Sequence, residues 1–339
     1  MTKTTPEPTD EFGLVARHLA PLAAAERGAL GLLDDAAVLR FGSDRDLVVT
    51  TDTLVADVHF LGDDPFETVA AKALAVNLSD LASMGARPLA YTVAVAVPRH
   101  LDGSGRDAWF AALASGLKAM QTACDVTLIG GDTVATPGPA TLTITALGSV
   151  TRDRALLRSG AQPGDRILVS GTIGDAALGL RVLRNQLSEL GPTHSRHLVD
   201  RYRRPTPRLT LGVRLAGLAH AAADVSDGLV ADLGRICSAS KVEADVDVER
   251  LPLSAAARRA IDGDPELIGT VVTGGDDYEL VFTAPETAMA EVAVQAAAVE
   301  VPVATIGVIR KPSAARQPVR LCRSDGSQMD ITDDGYRHF

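Results

Sequence analysis

Short apolar runs rich in β-branched residues, each bounded by Gly, Pro or charge, predict strands over 47–53, 90–97, 126–129 and 142–150. Helical spacing of apolar positions fills the gaps between them. The clearest helix is expected over 65–84, with Asp64 as N-cap, Pro65 in the first helical position, Glu67 completing a capping box and Gly85 ending it. Its apolar stripe includes Val69, Ala73, Val76 and Leu81. A second helix is expected over 107–123. The basic stretch TRDRALLRSGAQPGD after Val150 reads as a connector and divides the chain into 1–150 and 151–339. Beyond it, strands are expected at 166–170, 242–248, 278–283, 304–309 and 319–321, with a short one entering DVSDG. Helices are expected at 174–187, 207–221, 229–239 and 286–299. Strands alternating with helices in both halves imply two domains of α/β or α+β class.

Composition narrows the function. The 339 residues carry 33 Lys+Arg against 43 Asp+Glu, a net charge of −10 spread along the chain, which argues against nucleic acid as partner. Apolar stretches fall far short of the roughly 20 residues of a spanning helix. The opening MTKTTPEPTDEF has no apolar core of a signal peptide, so a cytoplasmic protein is expected. Cys124, Cys237 and Cys322 are too far apart for a CxxC metal site and read as small hydrophobes.

The unusual feature is a series of short Asp-bearing motifs at predicted strand ends and helix starts: LLDDAAV, TTDT, NLSD, GGDT, DVSDG and GGDDYE. Singly, each also suits a turn or a cap. Asp80 is harder to explain that way, because it is expected near the middle of the 65–84 helix, where Asp has poor propensity and no cap is needed. If several of these carboxylates converge, two charges about 4 Å apart repel by roughly 4 kcal/mol at an effective dielectric near 20, so cations or protons must accompany them. Oxygen-only donors without Cys or His clusters select Mg²⁺, which shares its coordination with substrate phosphates.

The usual phosphate loops are missing: there is no GxxxxGK[ST] and no protein-kinase motif pair. A GxGxxA string spans Gly103 to Ala108, but the preceding strand is expected to end at Val97, too early for a dinucleotide fingerprint. The Gly-rich turn SGTIGDAALG suits either phosphate binding by backbone amides or close helix packing.

Taken in order, LLDDAAV, TTDTLVADVHF, KALAVNLSDLASMGARP, LIGGDT, LRSGAQPGD, DVSDGLVADLG, GGDDYEL and GYRHF resemble segments of the thiamine-monophosphate kinase family over nearly the whole chain. KALAVNLSDLASMGA and DVSDGL are shared with the wider aminoimidazole ribonucleotide synthetase-like superfamily. TDTLVADVHF, GGDDYEL and GYRHF favour the thiamine branch. The resemblance implies an N-terminal α/β domain forming the dimer sheet of a homodimer and a C-terminal α+β domain completing the active site. It further implies ATP-dependent conversion of thiamine monophosphate to thiamine diphosphate by direct in-line transfer, assisted by several Mg²⁺ ions.

Carried over by position, the resemblance assigns the metal to Asp35, Thr50, Thr51, Asp52, Asp80, Asp132, Asp224 and Asp227. It assigns ATP contacts to Gly131, Asp132, Arg158 and Ser226, and substrate contacts to His59, Asp276 and Asp333. Asp52, Asp80 and Asp132 are the expected indispensable ligands. Asp276 stands where relatives commonly carry Glu, and Asp333 where some carry Trp, so that Tyr336, Tyr278 or Phe339 would have to replace the ring contact. An acceptor phosphate is already ionised near neutral pH, so no activated Ser, Cys or His is needed. The rival readings are another ATP-using member of the superfamily, a catalytically silent nucleotide-binding protein and, more remotely, a dehydrogenase built on Gly103 to Ala108.

Overall fold

The computed structural model describes residues 27–42, 44–187, 189–313, 318–331 and 335–336. The first half builds β1 (Ala37–Phe41), β2 (Arg45–Val55), α1 (Phe66–Ser83), β3 (Arg87–Pro98), α2 (Gly103–Cys124), β4 (Thr127–Thr136) and β5 (Thr141–Thr151). Its strands form a five-stranded sheet in the order β1-β2-β5-β3-β4. All neighbours are antiparallel except β3 and β4.

The second half builds β6 (Arg166–Ser170), α3 (Asp175–Leu183), α4 (Gly191–Arg203), α5 (Leu209–Leu215), β7 (Ala221–Asp224) and α6 (Leu229–Ser240). It continues through β8 (Glu243–Asp247), α7 (Ala255–Gly263), α8 (Leu267–Thr273), β9 (Leu280–Ala284), α9 (Met289–Ala297), β10 (Val303–Arg310), β11 (Val319–Cys322) and β12 (Gln328–Met329). A seven-stranded sheet runs β12-β11-β8-β10-β6-β9-β7.

Helix α1 packs against both halves. It lies on one face of the first sheet and also packs on α2, α5 and β7. Its residues are buried on nearly every side, and the small side chains Ala70, Ala73, Ala75 and Ala82 let neighbours approach closely. A Cβ on Gly116 of α2 would come within 2.0 Å of the Glu67 carbonyl, and one on Gly212 of α5 within 2.0 Å of the Ala82 carbonyl. One hydrophobic core therefore runs from Val48 and Ile144 of the first sheet through Leu74 and Leu78 to Leu211 and Phe282 of the second half. A second core, with Ile167, Val271 and Ile306, fills the other face of the seven-stranded sheet.

The caps differ in part from expectation. Gly85, at φ +68°, ends α1 in a Schellman arrangement, its N–H donating to Ala82 O (3.0 Å) while Ala86 N–H reaches Leu81 O (2.8 Å). At the other end the expected Asp64 cap is absent: Pro65 is the N-cap, and Asp64 instead accepts from Arg203 Nε at 2.7 Å and from Leu61 N–H at 3.0 Å. The ion pair to α4, 139 residues away, outcompetes the local cap. Helix α2 starts at Gly103, four residues earlier than expected, because Asp102 caps it through Gly105 N–H at 2.6 Å. That carboxylate occupies the helix end that a dinucleotide pyrophosphate would need, and the Gly103 to Ala108 reading fails.

The expected strand at 126–129 continues to Thr136, so GGDT lies inside β4 and not in a turn. The expected helix over 174–187 ends at Leu183 and that over 207–221 shrinks to Leu209–Leu215. Short β1, α4, α7 and α8 are additions that local pattern does not signal. No described helix is long and apolar enough to cross a membrane. Of the three cysteines Cys237 is buried, while Cys124 and Cys322 are partly exposed.

Candidate active site

The two halves meet around a cleft of about 990 Å³. One wall is β2 and the C-terminal end of α1. Register places Thr50 and Asp52 on the sheet face that meets α1, while Thr51 and Thr53 point to the opposite face. Asn77 explains part of the NLSD patch: it is fully buried, takes the Asp52 N–H on its Oδ1 at 3.0 Å and donates to Ala73 O at 3.0 Å. It braces the strand and does not line the cleft. Asp80 does line it. It lies in the last turn of α1 and not near the middle, so its charge faces the unfavourable end of the helix dipole. Thr50 Oγ1 donates to Asp80 Oδ2 at 2.5 Å.

The other contributors arrive from outside these elements. Asp35, just before β1, accepts from Ser83 Oγ at 3.1 Å and is paired with Arg158, whose backbone N–H donates to Asp34 Oδ1 at 2.7 Å. Asp224 ends β7, and its Oδ2 is buried with no hydrogen-bond partner among the described residues. Ligand atoms of Asp35, Asp80 and Asp224 all lie within 4.8 Å of one another. The DVSDG loop that follows is held by Asp232 of α6, whose Oδ2 accepts the N–H groups of Ser226 (3.0 Å), Asp227 (3.0 Å) and Gly228 (3.2 Å). Arg235 pairs with both Asp227 and Asp232.

Crowding and burial shift these acids together. Burial, then Asp35, pushes Asp52 up to about 6. Burial, followed by the charges of Asp52, Asp224 and Asp35, holds Asp80 well above the usual carboxylate range. Burial and the charges of Asp35 and Asp232 do the same to Asp224. Burial raises Asp232 to about 7 despite Arg235. Arg158, beside Asp35, is held firmly protonated. Such a group is charge-deficient on the cationic side, and its donors are all oxygens. The unpartnered Asp224 oxygen and the mutual proximity of three carboxylates fit a hard divalent cation such as Mg²⁺.

At the other end of the cleft Asp276, at φ +73°, accepts from Lys72 Nζ at 2.8 Å and from the Tyr278 hydroxyl at 3.2 Å. Lys72 is almost wholly buried and stands 4.0 Å over the Tyr202 ring. His59 also lines the cleft, its Nδ1 accepting Val55 N–H at 3.0 Å.

The cleft thus unites Asp35, Thr50, Thr51, Asp52, His59, Asp80, Arg158, Asp224, Ser226, Asp227 and Asp276, with Tyr336 at its rim. The hydroxyl of Thr51 is not with the carboxylates; it donates to Ile144 O at 3.0 Å. Gly131 and Asp132 are not brought to the cleft within this chain. Pairing aligns Thr53 with Thr143, Ala94 and then Asp132, so Asp132 is exposed on the sheet face away from Asp52. Three strand spacings put it about 14 Å from β2. Asp333 and Phe339 lie outside the described residues.

Sequence reading missed Lys72, Asp232 and Arg235. The only signal was a lone cation among alanines in VAAKALAV and an acid and a base three residues apart in LVADLGR. It also left SGTIGDAALG open, and packing decides it. The amides of Gly174 and Ala176 are taken by Asp277, and a Cβ on Gly171 would collide with Glu279 at 2.1 Å. Asp277 and Glu279 of GGDDYE are therefore structural, with Glu279 bound by Arg201, Arg208 and Ser170.

The sequence family described as AIR synthase related protein, N-terminal domain, matches residues 33–150, and the corresponding C-terminal domain family matches 162–315. A thiamine-monophosphate kinase of Salmonella typhimurium is 42% identical over 330 residues, covering 97% of this chain and 98% of the relative. A crystal structure of thiamine-monophosphate kinase from Stenotrophomonas maltophilia is 42% identical with a TM-score of 0.76, covering 94% of this chain and 98% of that one. A structure described as AaThiL complexed with AMPPCP and TMP is 27% identical with a TM-score of 0.81, covering 100% of both chains. With both halves matched and 42% identity along almost its entire length, this chain belongs to the thiamine-monophosphate kinase family, on the two-domain aminoimidazole ribonucleotide synthetase-like fold.

Proposed function

We propose that this chain transfers the γ-phosphoryl group of ATP directly to the phosphate of thiamine monophosphate, giving thiamine diphosphate, with several Mg²⁺ ions held by the cleft carboxylates. The observation that carries the reading is the convergence of Asp35, Asp80 and Asp224 within 4.8 Å, with one Asp224 oxygen unpartnered. Asp52, Asp227 and Thr50 stand beside them as further oxygen donors. When bound, Mg²⁺ supplies charge neutralisation and alignment of the donor and acceptor phosphates. Arg158 and Arg235 supply fixed positive charge at the same wall. Among the described residues lining the cleft there is no Cys and Ser226 is the one Ser, which suits an acceptor whose phosphate is already ionised. Asp276, with its charge balanced by Lys72, faces the region left for the acceptor's organic part.

Asp132 enters this reading from a second copy of the chain. The face of the first sheet away from α1 carries Thr51, Thr53, Thr143, Thr145 and Ala94, and on the edge strand β4 it exposes Val134. A homodimer formed through this face would cover those side chains and turn Asp132 and Gly131 of one protomer toward the other's cleft.

Incubation with ATP, Mg²⁺ and thiamine monophosphate tests the reading. Thiamine diphosphate and ADP are expected in equal amounts. Release of ADP only in the presence of a purine precursor would instead support a synthetase of the same superfamily, and nucleotide binding without any transfer would support a silent binding protein.

A further inference from the structure

Helix α1 carries four uncharged polar side chains, Thr68, Asn77, Ser79 and Ser83. Three of them bond a carbonyl one turn back. Thr68 Oγ1 donates to Pro65 O at 2.7 Å, Asn77 Nδ2 to Ala73 O at 3.0 Å and Ser83 Oγ to Asp80 O at 2.8 Å. Ser79 is the exception: it is fully buried, and its Oγ has no hydrogen-bond partner among the described residues. A helix interior offers a serine hydroxyl the carbonyl of the preceding turn, and an unpaired buried hydroxyl is costly, so a hydroxyl turned away from its own helix points to a partner outside it.

The place of Ser79 on the helix says what it faces. Residues three or four apart share a side, so Val76, Ser79, Asp80 and Ser83 form one stripe. Val76 and Asp80 of that stripe line the cleft, and Ser83, one turn beyond Ser79, donates to Asp35 Oδ2 at 3.1 Å. Asp224 completes the group of three carboxylates with Asp35 and Asp80. It ends β7, which packs directly on α1, and its Oδ2 is another buried atom of the cluster without a partner among the described residues. Burial, then the charges of Asp35 and Asp232, pushes Asp224 up, and the Ser79 hydroxyl works against that rise, as a donor to a carboxylate does.

We propose that Ser79 is a positioning residue of the metal site: its hydroxyl donates to the Asp224 carboxylate and fixes the direction in which that carboxylate presents its free oxygen to the cation. The inference rests on the Mg²⁺ reading of the cleft for the identity of the cation. Ser79 then does for Asp224 what Ser83 does for Asp35. Helix α1 serves all three carboxylates, one through its own Asp80 and two through hydroxyls. Because Ser79 belongs to the first half of the chain and Asp224 to the second, the bond also joins the two halves at the cluster. Donors that hold a metal ligand from behind keep its rotamer, and their loss typically lowers metal affinity roughly 10–100-fold.

Calorimetric titration of the nucleotide-free protein with Mg²⁺ tests the assignment. Ser79→Ala removes the hydroxyl, keeps a small side chain in a crowded helix and suits helical backbone. Its dissociation constant for Mg²⁺ is expected to rise about tenfold. Ser79→Cys should show the same loss, because a thiol fills the space and is a weak donor. In turnover, the Mg²⁺ concentration giving half the maximal rate should rise by a similar factor, with kcat at saturating Mg²⁺ within about threefold of wild type. A residue that only packs would shift the unfolding midpoint and leave Mg²⁺ affinity unchanged. That pattern would overturn the proposal, as would wild-type affinity in Ser79→Cys beside a loss in Ser79→Ala. Crystals of the wild-type protein grown with Mg²⁺ answer without any variant: Ser79 Oγ within hydrogen-bond distance of an Asp224 carboxylate oxygen supports the role, and a hydroxyl bonded to Ala75 O or elsewhere refutes it. Failure of the metal reading has a different signature, since the wild-type protein itself would then bind no Mg²⁺.

Discussion

Two buried acidic sites in this protein differ in how much positive charge they are given. Glu279 is one carboxylate with two arginines: Arg201 at 2.9 Å and Arg208, whose Nε lies at 2.6 Å, with Ser170 Oγ adding a further donor at 2.6 Å. The cleft gathers Asp35, Asp52, Asp80 and Asp224, yet among the described residues only Arg158 pairs with any of them. At the first site the carboxylate is fully countered by its two arginines, which ties the Arg201 and Arg208 segments to the start of β9 and leaves no demand for a ligand cation. Surplus negative charge at the second is tolerable only with protons or cations, and it marks where the protein does its chemistry. The contrast implies a double dissociation: acids of the cleft should matter to turnover and weaken the empty fold, whereas Glu279 should matter to the fold and little to turnover.

The largest effect is expected from Asp80→Asn. If Asp80 is a metal ligand as proposed, losing its oxygen at the centre of the cluster should lower Mg²⁺-dependent turnover at least about a thousandfold, roughly 4 kcal/mol of barrier. The same change should raise the melting temperature of the metal-free protein, because it removes one of the repelling charges. On the proposed homodimer, Asp132→Asn should be comparably inactive for a different reason, because its carboxylate would act in the neighbouring subunit. Mixing and exchanging these two inactive variants should restore about a quarter of wild-type activity, since half of the dimers would be mixed and each would keep one intact site. Absence of any recovery from exchanged subunits would contradict the action of Asp132 in the neighbouring subunit's cleft.

Glu279→Gln is expected to cost about 3–5 kcal/mol in urea unfolding, because two arginines would be left buried without their counter-charge. Turnover per folded molecule should stay within about twofold. A variant that folded normally and lost activity would erase the distinction between the two sites.

The pH response sharpens it further. Burial and neighbouring charge raise Asp52 to about 6 and hold Asp80 and Asp224 well above the usual carboxylate range, so the folded, metal-free protein binds more protons than the unfolded chain above about pH 4. Protonation of these groups therefore supports the empty fold below the unfolded carboxylate range, and that support is lost as pH rises through about 6 and beyond. On the proposed reading Mg²⁺ would compete for the same oxygens. Its stabilising effect in a thermal melt should be near zero at pH 5 and several degrees at pH 8, roughly 1–2 kcal/mol or more at saturating metal. A shift that shrank as pH rose would contradict the assignment of the cluster as the metal site.

The same contrast explains what sequence could show. Elements whose signals are local were legible: β2, β3, β5 and β6, the Gly85 stop of α1, and the Asp motifs that line the cleft. Roles set by distant partners were not. Nothing near GGDDYE separates Asp276, which faces the cleft, from Glu279, whose arginine at 208 is 71 residues away. Helix α4 offers only Leu198 and Tyr202 as buried residues, too thin a stripe to announce itself, yet it brings Arg201 to Glu279 and Arg203 to Asp64. The direction of Asp132 depends on the β3–β4 register shift next to Thr92, a pairing between segments that sequence shows only as separate strands.

Asp276 falls between the two classes, one carboxylate matched by one buried lysine, and gives the smallest and most discriminating test. Its side chain is 29% exposed, whereas that of Lys72 is 3% exposed. Lys72→Met would keep the apolar stem over Tyr202 and leave Asp276 facing solvent in the cleft, where water can hydrate it. The fold should lose about 1 kcal/mol, far less than Glu279→Gln costs, because no charge is stranded in the interior. If Asp276 serves the acceptor, freeing its Oδ2 from Lys72 should change the Michaelis constant for thiamine monophosphate by about fivefold, a hydrogen bond's worth, with kcat and the constant for ATP within about twofold. If Lys72 and Asp276 were only a clasp between α1 and the second half, stability would fall by several kcal/mol and the acceptor's constant would not move.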